Sequence, residues 1–189
     1  PILIPTAEMT EKVLGELPWK PRDGACAVIL SSVVPEKSKV IGTAFGEDCV
    51  LSVSSSIELG IGIDYPTPET IGADRLANAA ATVCYYGAPA VVVDFGTAVT
   101  FDILSAAGAY VGGVIAPGLS AMTEYMFDHT ALLPRIDLEE PKSVIGKSTE
   151  EAMQAGAVLG YRGLVKDILT AIVDELGSEA PPVEATGGY

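Results

Sequence analysis

"VVVDFGTAVTFDIL", residues 91–104, decides how this chain is read. Val91, Val92 and Val93 open an apolar run suited to a buried strand, and the run ends on a carboxylate, Asp94. A turn through Gly96 and Thr97 follows, and a second strand carries another acid, Asp102. Desolvating a carboxylate is costly unless something compensates the charge. A cation or a metal-bound phosphate would do so, and so would an ordinary structural hydrogen bond. The residues alone leave both open.

Working outward, "APAVVVDFGT", "VTFDILSAAG" and "AYVGGVIAPG" (88–97, 99–108 and 109–118) predict three consecutive strands with tight connections. "LSAMTEYMFDHTALL" (119–133) predicts a helix and "PRIDLEEPKSVIG" (134–146) a loop. A long helix then runs between a capping-box pair, Ser148 and Glu151, and a glycine stop at Gly177. Its length would be about 42 Å at the usual rise per residue. Gly156, Gly160 and Gly163 would let another backbone approach it closely, or permit a kink near Tyr161. "VEATGG" (183–188) predicts a strand entering a glycine turn.

Upstream, 6–17 predicts a short helix, 25–35 ("ACAVILSSVVP") a strand, and 49–54 another strand. "GIGIDYPTPET" (60–70) predicts an ordered loop, and 72–87 an Ala-rich helix stopping at Gly87. The pattern is α/β, without internal repeats or low-complexity segments.

The 189 residues suffice for one large domain or two small lobes. Hydrophobic residues make up 49% and mean hydropathy is +0.38, yet no stretch approaches the roughly 20 apolar residues of a membrane span. A subunit interface or an Ala- and Val-rich core would equally account for the surplus. The net charge of −14 opposes binding to nucleic acid or an anionic membrane. Cys26, Cys49 and Cys84 lack metal-ligand spacing and are expected to be reduced core fillers in a cytosolic protein. The single His129 is expected to be structural. No signal-peptide pattern is present.

Four stretches bear on chemistry. In the 94–102 hairpin, Gly96 would let backbone N–H groups approach a ligand, Thr97 and Thr100 add hydroxyls, and Asp94 supplies negative charge for a metal ion. In "IGADRL" (71–76), Asp74 either complements a helix dipole or takes a proton from a hydroxyl nucleophile while Arg75 steadies anionic charge. "TGG" (186–188) offers a side-chain-free approach for a nucleotide, or is a plain turn. "IGKST" (145–149) is not a phosphate-binding loop: Pro141 stands where the first glycine should, and no strand precedes it.

Six motifs, "SSVVP", "IDYPTPETIGADRLANAAA", "VVVDFGTAVTFD", "GGVIAPGL", "SVIGKSTEEAMQAG" and "ATGG", occur in the order seen in type III pantothenate kinases, and the chain resembles that family from about Ser31 to Gly188. The resemblance implies ATP-dependent phosphorylation of pantothenate, the first step toward coenzyme A, in a cytoplasmic homodimer that uses MgATP and K⁺ or NH₄⁺. It implies the acetate-and-sugar-kinase/actin-like fold of two ribonuclease-H-like lobes, here 1–86 and 87–189. On that resemblance Asp74 is the general base, with Gly72, Ala73, Arg75 and Tyr65 lining the pantothenate site. Asp94 is the monovalent-cation ligand, and Gly96 and Thr97 face the ATP phosphates. Thr149 reaches pantothenate bound to the neighbouring subunit, and Thr186, Gly187 and Gly188 line the adenosine end.

The same resemblance implies a strand and a "D-x-G-N-T" loop ahead of Pro1, and further helix and strand after Tyr189. Two rival readings are a non-catalytic accessory protein in gene regulation and a sugar or acetate kinase of the same fold. Retained Asp74 and Arg75 weigh against the first, and the "DYPTPETIGADR" segment (64–75) against the second.

Overall fold

The computed structural model describes residues 4–17, 28–177 and 181–188, and the chain divides into two units, Pro1–Ala81 and Thr82–Tyr189. The division falls inside one helix rather than at a linker.

In the first unit a short helix, α1 (Glu11–Gly15), begins where the Thr10 hydroxyl accepts the Val13 N–H. The expected helix over 6–17 is thus two pieces, a 3₁₀ turn at Thr6–Glu8 and α1. Two three-residue strands, β1 (Val28–Leu30) and β2 (Val50–Ser52), pair in parallel with Ile29 opposite Leu51. Between them runs α2 (Pro35–Phe45), an element the sequence reading missed. Its markers were present: Pro35 sits in the first turn, where a missing N–H costs nothing, and Gly46 ends the helix at φ 88°. The β-branched "SSVVP" run reads as a continuation of the preceding strand, but that strand stops at Leu30. Residues 25–27, and with them Cys26, lie outside the described residues. The 60–70 loop holds a two-residue strand, β3 (Gly62–Ile63), and a 3₁₀ turn at Pro68–Thr70. The Ala-rich helix α3 spans Ala73–Tyr86, and Gly87 follows it at φ 86°.

The second unit is built as the hydrophobic pattern requires. Strands β4 (Ala90–Phe95), β5 (Ala98–Leu104) and β6 (Ala109–Pro117) form an antiparallel meander, and β7 (Val183–Gly187) joins β4 in parallel. Their spatial order is β6-β5-β4-β7. Alternation splits the side chains between two faces. Val91, Val93, Val99 and Phe101 face one side, where Tyr161 and Ile172 of the long helix α5 (Thr149–Leu176) complete a buried cluster. Each such side chain fully removed from water contributes about 1.5–3 kcal/mol.

Helix α4 (Leu119–His129) leaves β6 through Gly118. The predicted caps of α5 are present: Ser148 Oγ accepts the Glu151 N–H at 3.1 Å, and Gly177 is left-handed at φ 57°. Glu151 reaches back to the Lys147 N–H at 2.6 Å. The helix is continuous across Gly156, Gly160 and Gly163, and a methyl group added at any of them would meet nothing within 4 Å. The expected close backbone approach is therefore not made by this chain's described residues. Cys49 is half-buried and Cys84 is exposed, so Cys84 is no core filler. His129 stacks on Tyr125 with ring centroids 4.0 Å apart, and its Nδ1 lies 3.0 Å from the Tyr125 carbonyl oxygen. Among the described residues no helix is long and apolar enough to cross a membrane.

Candidate active site

The start of α3 gathers the first group of candidates. Ile71 and Ala73 are buried and anchor the helix start, while Asp74 stays exposed in the first turn, where its charge suits the helix dipole. Its Oδ1 accepts the Arg75 N–H at 2.9 Å. The carboxylate folds back over Gly72, so that a Cβ on Gly72 would lie 2.5 Å from that oxygen. Glycine at this position leaves the carboxylate its place. Tyr65 and Arg75 are half-buried. Tyr65, Gly72, Ala73, Asp74 and Arg75 all belong to the first unit.

The second group belongs to the second unit and converges on one end of its sheet. Asp94 lies half-buried near the end of β4, in register with Thr100 of β5 on one side and Thr186 of β7 on the other. Paired residues present their side chains to the same face, so one carboxylate stands between two hydroxyl-bearing neighbours. The Gly96–Thr97 turn follows, with the Gly96 N–H donating to the Ala98 carbonyl at 3.1 Å. Thr97 is exposed.

Two glycine backbones grip this turn. Gly187, at φ 113°, passes so close that an added Cβ would sit 2.4 Å from the Phe95 carbonyl oxygen, and the Gly188 N–H donates to that oxygen at 3.2 Å. On the other shoulder the Gly118 N–H donates to the Thr97 carbonyl at 3.0 Å. A Cβ at Gly118 would lie 2.3 Å from the Thr97 oxygen and 2.5 Å from the Gly96 oxygen. Thr186, Gly187 and Gly188 are thus brought beside Asp94, Gly96 and Thr97. Gly118 was not singled out from sequence as part of this arrangement. Its signal was the Pro117–Gly118 pair immediately before a helix.

Asp102, the other acid of the hairpin, is fully buried and accepts the Tyr110 hydroxyl at 3.1 Å. Thr100 Oγ1 lies 3.5 Å from its second oxygen. For this acid the structural alternative is realised. Among the described residues there is no cluster of three or more His, Cys, Asp or Glu side chains able to hold a metal ion.

Thr149 does not join the turn. It is exposed at the first position of α5 and lines a groove of about 1090 Å³ between α4 and α5. Met122, Tyr125 and Met126 wall one side of the groove, Gly156 and Gly160 the other. Tyr161 also lines it, and its ring lies 6.4 Å from that of Phe95. Burial pushes the Tyr161 hydroxyl pKa up, and the nearby Leu119 backbone group partly opposes the rise.

Comparison with known proteins places the chain beside one family. The family model described as type III pantothenate kinase matches residues 5–171. A type III pantothenate kinase of Akkermansia muciniphila is 52% identical over 186 residues, covering 98% of this chain and 75% of the relative. One from Methylacidiphilum infernorum is 48% identical over 191 residues, covering 98% of this chain and 68% of the relative. Among solved structures, a conserved Campylobacter jejuni protein assigned to the Baf family of transcriptional activators superposes with a TM-score of 0.55 over 87% of this chain and 69% of its own. At 22% identity that likeness carries the fold alone.

Proposed function

This chain belongs to the type III pantothenate kinase family, and we infer that it phosphorylates pantothenate with ATP at the start of coenzyme A biosynthesis. The observation that carries the assignment of roles is the turn after β4, where two glycine backbones leave Gly96 and Thr97 open beside a half-buried carboxylate. Phosphoryl transfer asks little covalent chemistry of a protein. It asks for in-line placement and neutralisation of charge on the transferred group.

In this reading Asp74 is the general base. Its carboxylate is exposed, oriented by the Arg75 N–H and unobstructed at Gly72, so that it accepts the proton of the pantothenate hydroxyl as the oxygen attacks. Arg75 steadies the anionic charge nearby, with Tyr65, Gly72 and Ala73 lining the same pocket. Gly96 and Thr97 hold the phosphates, and Thr186, Gly187 and Gly188 the adenosine end. Mg²⁺ arrives with ATP.

The surroundings of Asp94 fit a monovalent cation. A single carboxylate registered between Thr100 and Thr186 provides oxygen ligands and little negative charge, a set suited to K⁺ or NH₄⁺ rather than to a thiol- or imidazole-seeking metal. Such an ion supplies positive charge near the phosphates when bound. The open glycine edge of α5 and the apolar groove support a homodimer in which Thr149 reaches the partner's pantothenate. The two-lobed actin-like fold and a cytoplasmic location belong to the same reading.

The experiment is Asp74→Asn, assayed by pantothenate-dependent ADP release and by nucleotide binding. We expect kcat to fall about 10²–10⁴-fold with MgADP affinity retained. A near-native rate would remove Asp74 from the base role.

A further inference from the structure

One shoulder of the Gly96–Thr97 turn rests on an aromatic side chain that has no direct place in the chemistry, and the other leads into the same buried cluster. Phe95, immediately before the turn, packs against Tyr161 at 6.4 Å between ring centroids. Leu119 packs against the same buried cluster, next to the Gly118 whose N–H holds the Thr97 carbonyl at 3.0 Å. Tyr161 itself is only 9% exposed and sits in the middle of α5, a continuous 28-residue helix that serves as a rigid base.

We propose that Tyr161 is a positioning residue for the nucleotide: by bearing on Phe95, it sets the attitude of the Gly96–Thr97 turn toward the phosphates. The inference rests on the kinase reading of that turn. Backbone N–H groups bind a phosphate only when they point at it, so small changes in the turn weaken the nucleotide without touching the pantothenate pocket. A side chain that only fills the core would lower stability and leave the ratio of the two affinities unchanged.

Three variants of the full-length protein test this by calorimetric binding of MgADP and, separately, of pantothenate. Tyr161→Leu removes the ring contact. Tyr161→Phe keeps the ring. Phe95→Leu removes the ring that Tyr161 meets. We expect Tyr161→Leu to weaken MgADP about tenfold with pantothenate affinity unchanged within about twofold. Phe95→Leu should weaken MgADP to a similar degree and the Tyr161→Leu/Phe95→Leu double variant should do no more, since both remove the same contact, while Tyr161→Phe should bind MgADP as the native protein does. Unchanged MgADP affinity in Tyr161→Leu, or equal weakening of both ligands, would overturn the proposal. If Tyr161→Leu does not fold, Phe95→Leu decides, with no loss of MgADP affinity or an equal loss for both ligands counting against the proposal. A native protein that binds no MgADP overturns this inference and the kinase reading together, whereas native binding with insensitive variants overturns this inference alone.

Discussion

Asp94 and Asp102 sit on neighbouring strands of one hairpin and have opposite fates. Asp102 faces Val92 deep in the sheet, fully buried, with the Tyr110 hydroxyl on its carboxylate at 3.1 Å. Asp94 faces Thr100 two positions nearer the turn, half-buried, where the strand gives way to glycine. The difference teaches that an acid in an apolar run has no single meaning. Depth decides: an inner carboxylate must find its compensation within the protein, while one at the strand end is able to share an ion with a ligand.

The largest expected effect comes from deleting the inner acid. Asp102→Ala should cost about 3 kcal/mol of stability, because a buried carboxylate and its hydrogen bond are lost together. Denaturant unfolding measures it, and an unchanged midpoint would erase the contrast. Next is the outer acid. Asp94→Asn should leave stability within about 1 kcal/mol but abolish the preference for K⁺ or NH₄⁺ over Na⁺ in ADP release. A variant that still distinguishes the salts would break the assignment of Asp94. The smallest effect sharpens the comparison from the other side: Tyr110→Phe should destabilise by about 1 kcal/mol and leave the cation response as in the native protein. Altered cation selectivity in Tyr110→Phe would mean the two acids act as one network.

Much of the fold was legible in the sequence wherever a period was clean. Residues 88–118 give three strands because their alternation and turn residues agree, and α5 was bounded by its own caps, Ser148 and Gly177. Helix α2 was missed although Pro35 and Gly46 mark its ends, because "SSVVP" looks equally like the end of a strand, and β1 in fact ends at Leu30, paired with Ser52. Cys84 illustrates the same limit, since its exposure depends on how α3 is turned, which composition does not encode. The candidate acids were visible as residue types at strand and helix ends. The grip of Gly118 on Thr97 was not, because it joins positions about twenty residues apart through a sheet register that had first to exist.

What the sequence determined by itself is local: strand and helix periods, caps, turns, and the order of motifs that marks the family. Tertiary structure alone decided which of the two hairpin acids is buried against Tyr110 and which stands at the edge. It also decided which glycines meet a backbone carbonyl, and that Tyr161 packs on Phe95 beside the turn. The physical reason is that burial and close approach arise from register and helix packing between distant segments, whereas propensity acts only between neighbours in the chain.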